Sequence, residues 1–425
     1  MSLLLLVLFF VMLVMGTPIA VSMGLSAAIV IISNELPVSV LAQRSVNALD
    51  STPLLAVPLF ILAANILNVS GVTSHIFELI RLFVGRIRGG VAQVTVLVSL
   101  VFSGISGAAL ADIGALGNLQ INMMRKQGYK DEFAAGITMA AATIGPIFPP
   151  SIPIIIFAAA AQISAVKLLL AGIIPAIIIT ILLVGQIALM AKIYNLPRDE
   201  TRPSLALIRR QFIVSLPALF APVLLIGGLV SGLFGPTEVA GVTVVYAVVI
   251  GKFFYRQLNW KGLVDAARET VEATASVLFI VATAALFAWV LTIDRVPVAV
   301  SHFLLGVSDN PVILLLIVNV LLLIAGMVLE SIAAILIIAP IVTPALSMAG
   351  VDPIQLGIVF VLNLMIGLLT PPVGMSLYMV SIIADIPLFK VVRGVLPFLV
   401  SLLLSLLLVT LVPMLSTWLP NQLMN

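Results

Sequence analysis

Charge is scarce in this chain. Only 9% of its 425 residues are Asp, Glu, Lys or Arg, against 62% hydrophobic, and the mean hydropathy is +1.31. A soluble domain has too little interior to hide that much apolar surface. Cysteine is absent, which excludes disulfides and thiolate chemistry. Two histidines argue against a His-rich metal site. The net charge of +3 is small, and no basic patch of the nucleic-acid-binding kind occurs. The alternating ten-residue pattern of a membrane β-barrel is missing as well.

What is present is long apolar runs. A helix needs about 20 apolar residues to cross a hydrocarbon core roughly 30 Å thick. The expectation is an all-α polytopic membrane protein. Leu3–Ile32 is too long for a signal-peptide core and lacks a basic leader, so it is expected as a retained first span. A polar loop follows from Ser33 to Thr52, then a short span, Pro53–Val69. Thr73–Arg88, with Arg81, Arg86 and Arg88, has the pattern of an interfacial amphipathic helix. Val91–Met124 is interrupted by polar and glycine residues. Asp131–Ile163 and Val166–Ile193 are apolar again, before a linker carrying Arg198, Arg202, Arg209 and Arg210. Further spans are expected at Phe212–Leu233, Pro236–Tyr255 and Thr270–Leu291. A second interrupted segment, Pro311–Ala349, precedes Pro353–Ala384 and Val391–Leu419.

The chain repeats itself. Pro149-Pro150 and Pro371-Pro372 stand at an offset of 222 (371 − 149). The same offset pairs Gly104 with Gly326, Gly128 with Gly350, Gly145 with Gly367, Gly172 with Gly394 and Pro175 with Pro397. Glycine and proline fix special backbone geometry, so a shared pattern of them implies shared structure. Charge placement makes the halves inverted. Arg86 and Arg88 on one flank of the first interrupted segment, and Arg125, Lys126 and Lys130 on the other, put both its ends inside. The second is flanked by Asp294, Arg295, Asp309 and Asp352, which fits the outer face. The path so drawn has nine crossings, two re-entrant hairpins entering from opposite faces, an inner N-terminus and an outer C-terminus.

Non-helical backbone in hydrocarbon strands N–H and C=O groups at several kcal/mol each, so it survives only against protein or a cavity. Inverted repeats with interrupted helices point to a secondary transporter's binding site. Four breaks qualify: the tips at Ser103–Gly107 and Ala325–Leu329, and the broken spans at Thr143–Ser151 and Gly367–Gly374. Freed carbonyls and nearby hydroxyls are hard oxygen ligands, and without an Asp/Glu cluster they suit a monovalent cation. Asp112 and Glu330, each just past a tip, are candidate coupling or substrate residues, because ionisable groups at membrane depth are functional by default. Ser151, Pro149, Pro150, Pro371 and Pro372 complete that candidate set.

The runs "GISGAALADIGALG", "TIGPIFPPSIP", "GMVLESIAAILIIAPIVTP" and "IGLLTPPVG", with "PLFILAANIL" and "GPTEVAG", closely resemble the large membrane subunit of TRAP transporters, the tripartite ATP-independent periplasmic transporters. The resemblance covers essentially the whole chain. It implies a Na+-coupled importer of organic acids, sialic acid or C4-dicarboxylates, in a bacterial inner membrane. It implies an elevator-type fold, a small four-helix membrane partner and a periplasmic substrate-binding protein. Carried over, it puts one sodium site at Ser103, Ser106, Thr143 and Gly145, and a second at Gly326, Met327, Gly367 and Thr370. The family's tip often reads Ser-Gly-Ser-Ala; here Ala108 lacks that hydroxyl. The expected division is scaffold and arm helix (1–90), first transport half (91–165), linking and scaffold spans (166–292), second transport half (311–384) and last span (385–425).

Three rivals belong to other classes. Gly104-Ile105-Ser106-Gly107 also fits the G-x-S-G of intramembrane serine proteases, but no histidine base lies within an expected span. A channel needs a continuous pore, which inverted hairpins do not favour. A stand-alone ion-coupled exchanger would work without a binding protein, and transport with and without one separates it.

Overall fold

The computed structural model describes residues 1–199 and 204–424; Arg202 and Asn425 lie outside them. All regular structure among the described residues is helical. The chain opens with α1 (Ser2–Val14) and α2 (Ile19–Ser33) in place of the single span expected over Leu3–Ile32. Gly16 takes a left-handed φ of +84° and Pro18 caps the next helix, so the run turns between them. The N-terminal amine lies 3.4 Å from Asp294, Phe9 packs on Phe287, and Arg44, beyond α2, sits over Trp289. The pair therefore folds back beside one end of the helix that leads to Asp294. The N-terminus thus shares a face with Asp294, so the expected inner N-terminus and outer Asp294 do not both hold.

The expected loop at Ser33–Thr52 contains α3 (Ser39–Leu49). A 3-10 turn, Thr52–Leu55, leads into α4 (Ala56–Val69), the short span. The amphipathic helix is α5 (Val72–Val84), which stops before Arg86 and Arg88. The first hairpin is α6 (Gly90–Ser106) out, then α7 (Ala109–Asp112), a π turn at Ile113–Gly117 and α8 (Asn118–Lys126) back. The broken helix follows as α9 (Asp131–Ala142) and α10 (Ile152–Ala161). α11 (Ala165–Ala171) and α12 (Ile173–Ile193) close the first repeat.

α13 (Leu205–Val230) and α14 (Pro236–Val249) lead to α15 (Trp260–Ile293), whose 34 residues extend well before the expected Thr270 start. α16 (Val296–Val307) was not anticipated. Shifting α5 by the repeat offset lands on residues 294–306, so α16 is its counterpart. The second hairpin is α17 (Pro311–Val328) and α18 (Ser331–Met348), and the second broken helix is α19 (Pro353–Gly367) and α20 (Met375–Ala384). α21 (Leu388–Leu411) and α22 (Met414–Leu423) end the chain. Eight helical stretches among the described residues are long and apolar enough to cross a membrane.

The inversion can be read from contacts. Gly89, before α6, donates its N–H to the Pro197 carbonyl at 2.9 Å, and the Tyr129 hydroxyl, after α8, donates to that same carbonyl at 3.1 Å. Both ends of the first hairpin thus lie on one face. Arg125, at the end of α8, also donates to the Ala384 carbonyl at 2.8 Å, just before α21 begins. Gln355, which follows the second hairpin, donates to the Val409 and Thr410 carbonyls at 3.1 and 2.9 Å. The two hairpins are rooted at opposite ends of α21, a helix of 24 residues and about 36 Å. Where α9 crosses α21, a Cβ on Gly136 would strike the Gly394 carbonyl, so small residues set the approach.

Candidate functional site

At the first tip α6 stops because Gly107 turns left-handed, with φ +68°. Its carbonyl accepts the Ile152 N–H at 3.2 Å, and a Cβ there would run into the Pro150 carbonyl. Tip and first break therefore touch backbone to backbone. Ser106, the last residue of α6, donates its hydroxyl to Oδ1 of Asp112. Asp112 is 2% exposed, and its Oδ2 has no hydrogen-bond partner. That oxygen lies close enough to Gly145 to clash with any Cβ placed there. Three of the residues singled out from sequence, Ser106, Asp112 and Gly145, are thus brought to one point.

Ser103 and Thr143 are fully buried, and their hydroxyls donate to the Leu100 and Ala140 carbonyls at 2.6 and 2.7 Å. Their oxygens keep lone pairs for a ligand. Ser151 is committed locally: it donates to the Pro146 carbonyl and accepts the Ile154 N–H at 3.2 Å, capping α10. Pro149-Pro150 and Pro371-Pro372 are both cis.

At the second tip a Cβ on Gly367 would lie 2.6 Å from Gly326 Cα, so α17 and α19 meet backbone to backbone there. The Met327 carbonyl accepts the Gly374 N–H at 3.1 Å. Thr370 donates to the Ile366 carbonyl at 2.8 Å. Glu330 caps α18, accepting the Ile332 and Ala333 N–H groups at 2.9 and 3.2 Å and the Ser331 hydroxyl at 2.9 Å. Behind this tip runs a buried amide chain. Asn363 donates to Asn319 at 2.7 Å, and Asn319 donates to Thr410 at 2.9 Å, tying α19, α17 and α21 together. Sequence reasoning missed this network; single amides in apolar runs were its only signal.

A cavity of about 360 Å³ lies between these parts. One wall holds both tips (Ser106, Ala108 to Ala111, Glu330 to Ile332) and both breaks (Pro146, Ile152, Pro153, Leu368). The other wall is α4 and α15, with Asn65, Asn68 and Glu269. These three were also missed from sequence. Asparagines three apart on one helix face were the available sign.

The first site suits a hard monovalent cation. It offers one buried carboxylate with an unpartnered oxygen, a cradle kept open by glycine, and hydroxyl and carbonyl oxygens. Among the described residues no three His, Cys, Asp or Glu side chains gather as a divalent-metal cluster. The second tip offers backbone carbonyls and Thr370.

Inverted repeats, paired hairpins and broken helices around a central cavity define a secondary-transporter fold. Two solved structures share it: the YdaH transporter of Alcanivorax borkumensis (TM-score 0.65, 17% identity, 90% of this chain and 88% of that one) and MtrF of Neisseria gonorrhoeae (TM-score 0.61, 14% identity, 88% and 83%). Residues 6–415 match the model of the tripartite ATP-independent periplasmic transporter, DctM component, and the chain belongs to that family. It is 39% identical to the sialic acid TRAP transporter large permease protein SiaM of Vibrio cholerae, over 96% of this chain and 95% of that protein. It is 38% identical to the C4-dicarboxylate large permease DctM of Pseudomonas aeruginosa (95% and 94%) and to the 2,3-diketo-L-gulonate large permease YiaN of Escherichia coli (93% and 92%). The family is one of permeases, not enzymes. That sets aside the protease reading of Gly104–Gly107, where the partner of Ser106 is a carboxylate.

Proposed function

We propose that this multi-pass permease is a Na+-coupled importer of organic acid anions, of the sialic acid or C4-dicarboxylate class, in a bacterial inner membrane. It works with a small membrane subunit and a periplasmic substrate-binding protein. The two hairpins and broken helices move as one body against α4 and α15, carrying the cavity between the faces in an elevator motion. The observation that carries this reading is Asp112, a buried carboxylate with one free oxygen against Gly145, beside a cavity walled by both tips. Sodium held by Asp112, Ser106 and neighbouring oxygens neutralises that buried charge, which is costly unpaired. It also fixes the first tip against its break. The second tip would bind its ion through Gly326, Met327, Gly367 and Thr370. In both cases ordering the tip completes the cavity wall, so ion and substrate binding are linked.

The test is uptake into proteoliposomes holding the permease and its small partner, with the cognate binding protein added outside. An inward sodium gradient should drive uptake, and replacing it with potassium should abolish it. Ser103→Ala and Thr370→Ala should each reduce it. Sodium-indifferent uptake would remove the coupling assignment. Uptake that ignores the binding protein would make the chain a stand-alone exchanger.

A further inference from the structure

The two hairpins differ at several equivalent positions, and one of them, the N-cap of the return arm, polarises the cavity. Ala108 and Glu330 are related by the repeat offset, and each is the N-cap of its hairpin's return arm. Glu330 satisfies the first N–H groups of α18 with its own carboxylate. Ala108 offers no side-chain cap, and from Ala109 to Lys126 the helical backbone continues without a break through the π turn. The uncapped N–H groups at Ala109 to Ala111 border the cavity, next to the buried Ser106. The first-hairpin end is therefore rich in donors, and the second carries a carboxylate.

The scaffold wall adds acceptors. Glu269, an exposed residue of α15, lines the cavity. Its helical neighbour Arg268 is taken by Glu272 at 3.1 Å, and Glu269 has no ion pair among the described residues. Asn65, which also lines the cavity, donates one amide N–H to Thr270 at 3.1 Å, and no partner is bonded to its carbonyl oxygen among the described residues. No lysine, arginine or histidine lines the space. A substrate can place one carboxylate at the first hairpin. Glu269, on the α4–α15 wall, accepts hydrogen bonds and repels a second carboxylate. The volume of about 360 Å³ also falls within the range of sites that enclose ligands larger than a four-carbon acid.

We propose that Glu269, with Asn65 beside it, is a specificity determinant that selects a hydroxylated or amide-bearing monocarboxylate and rejects dicarboxylates. This rests on the transport reading above and narrows its substrate class. It goes beyond similarity, since relatives named for sialic acid and for C4-dicarboxylate are 39% and 38% identical to this chain.

The test uses the permease with its small partner, purified in sodium, so that the binding protein's selectivity does not enter. Binding is read by thermal stabilisation, with N-acetylneuraminate and gluconate as hydroxylated monoacids and succinate as the dicarboxylate. Wild type should bind a monoacid at least about tenfold better than succinate, since a second carboxylate faces a like charge. Glu269→Gln keeps the shape and removes the charge; it should narrow that ratio to about threefold or less by gaining succinate. A wild type that prefers succinate, or a ratio unchanged in Glu269→Gln, overturns the assignment while leaving organic-acid transport standing. If no acid of either kind binds, and none is taken up when the cognate binding protein is added, the transport reading itself fails.

Discussion

Oδ2 of Asp112 occupies the space that a side chain on Gly145 would fill, although the two residues belong to different arms of the first repeat. The carboxylate is buried and that oxygen is unpartnered, so the contact holds only while position 145 has no Cβ. Gly145→Ala should push the carboxylate off Ser106. Overpacking of this kind costs about 1–3 kcal/mol. The half-saturating sodium concentration should rise by about tenfold or more, which is about 1.4 kcal/mol of ion binding. Sodium titration of uptake checks it, and an unchanged midpoint contradicts it.

Gly367→Ala tests the second tip separately. Its Cβ would meet Gly326 Cα at 2.6 Å, backbone against backbone, with no flexible side chain to yield. The expected result is a folded protein with uptake reduced by about tenfold or more, because the tip no longer closes on its break. Retained far-UV helicity with near-normal uptake would show the close approach to be dispensable.

Arg125 spans three elements. It donates to Asp131 at 2.7 Å, to the Ala384 carbonyl at 2.8 Å and to Asn122 at 3.5 Å, tying the first hairpin and the α9 start to the end of α20. A lysine cannot reproduce that fork. Arg125→Lys and Arg125→Ala should both lower the unfolding temperature, with alanine worse. Asp131→Asn should be milder, since that carboxylate is 42% exposed and exposed pairs contribute little. Equal effects of Arg125→Ala and Asp131→Asn would mean that the link to Ala384 is not what matters.

Glu330→Ala should fray the first turn of α18 at about 0.5–2 kcal/mol, the usual loss for an N-cap. Glu330→Asp should recover part of it. A hydrogen-exchange comparison at Ile332 and Ala333, whose N–H groups Glu330 accepts, reads the effect locally. Unchanged protection at both would rule out the capping role.

Much of this architecture was written in the positions of glycine and proline. Gly104, Gly145 and Pro149, with their partners at Gly326, Gly367 and Pro371, marked both tips and both breaks, because only those residue types permit the geometry. The Gly16-Thr17-Pro18 turn carried the same kind of signal, but hydropathy ran straight across it and produced one span where there are two helices. Helix α16 could have been found by shifting α5, yet its own sequence is nearly uniformly apolar. The pairing of Asp112 with Gly145 depends on how far α7 and the first break approach in space, which no spacing along the chain encodes. Glu269 was hidden differently. Its helix carries several charges, and only the fold shows which one faces the cavity.

The proposed first sodium site centres on Asp112. It is tested most directly by thermal unfolding of the purified permease in rising sodium, with potassium held as the balancing salt, for wild type and Asp112→Asn. Ligand binding stabilises the folded state by about 2.7 kcal/mol at one hundred times Kd. The account predicts sodium-specific stabilisation of wild type that is strongly reduced in Asp112→Asn. Equal stabilisation by sodium and potassium, or a full sodium response in Asp112→Asn, would contradict it.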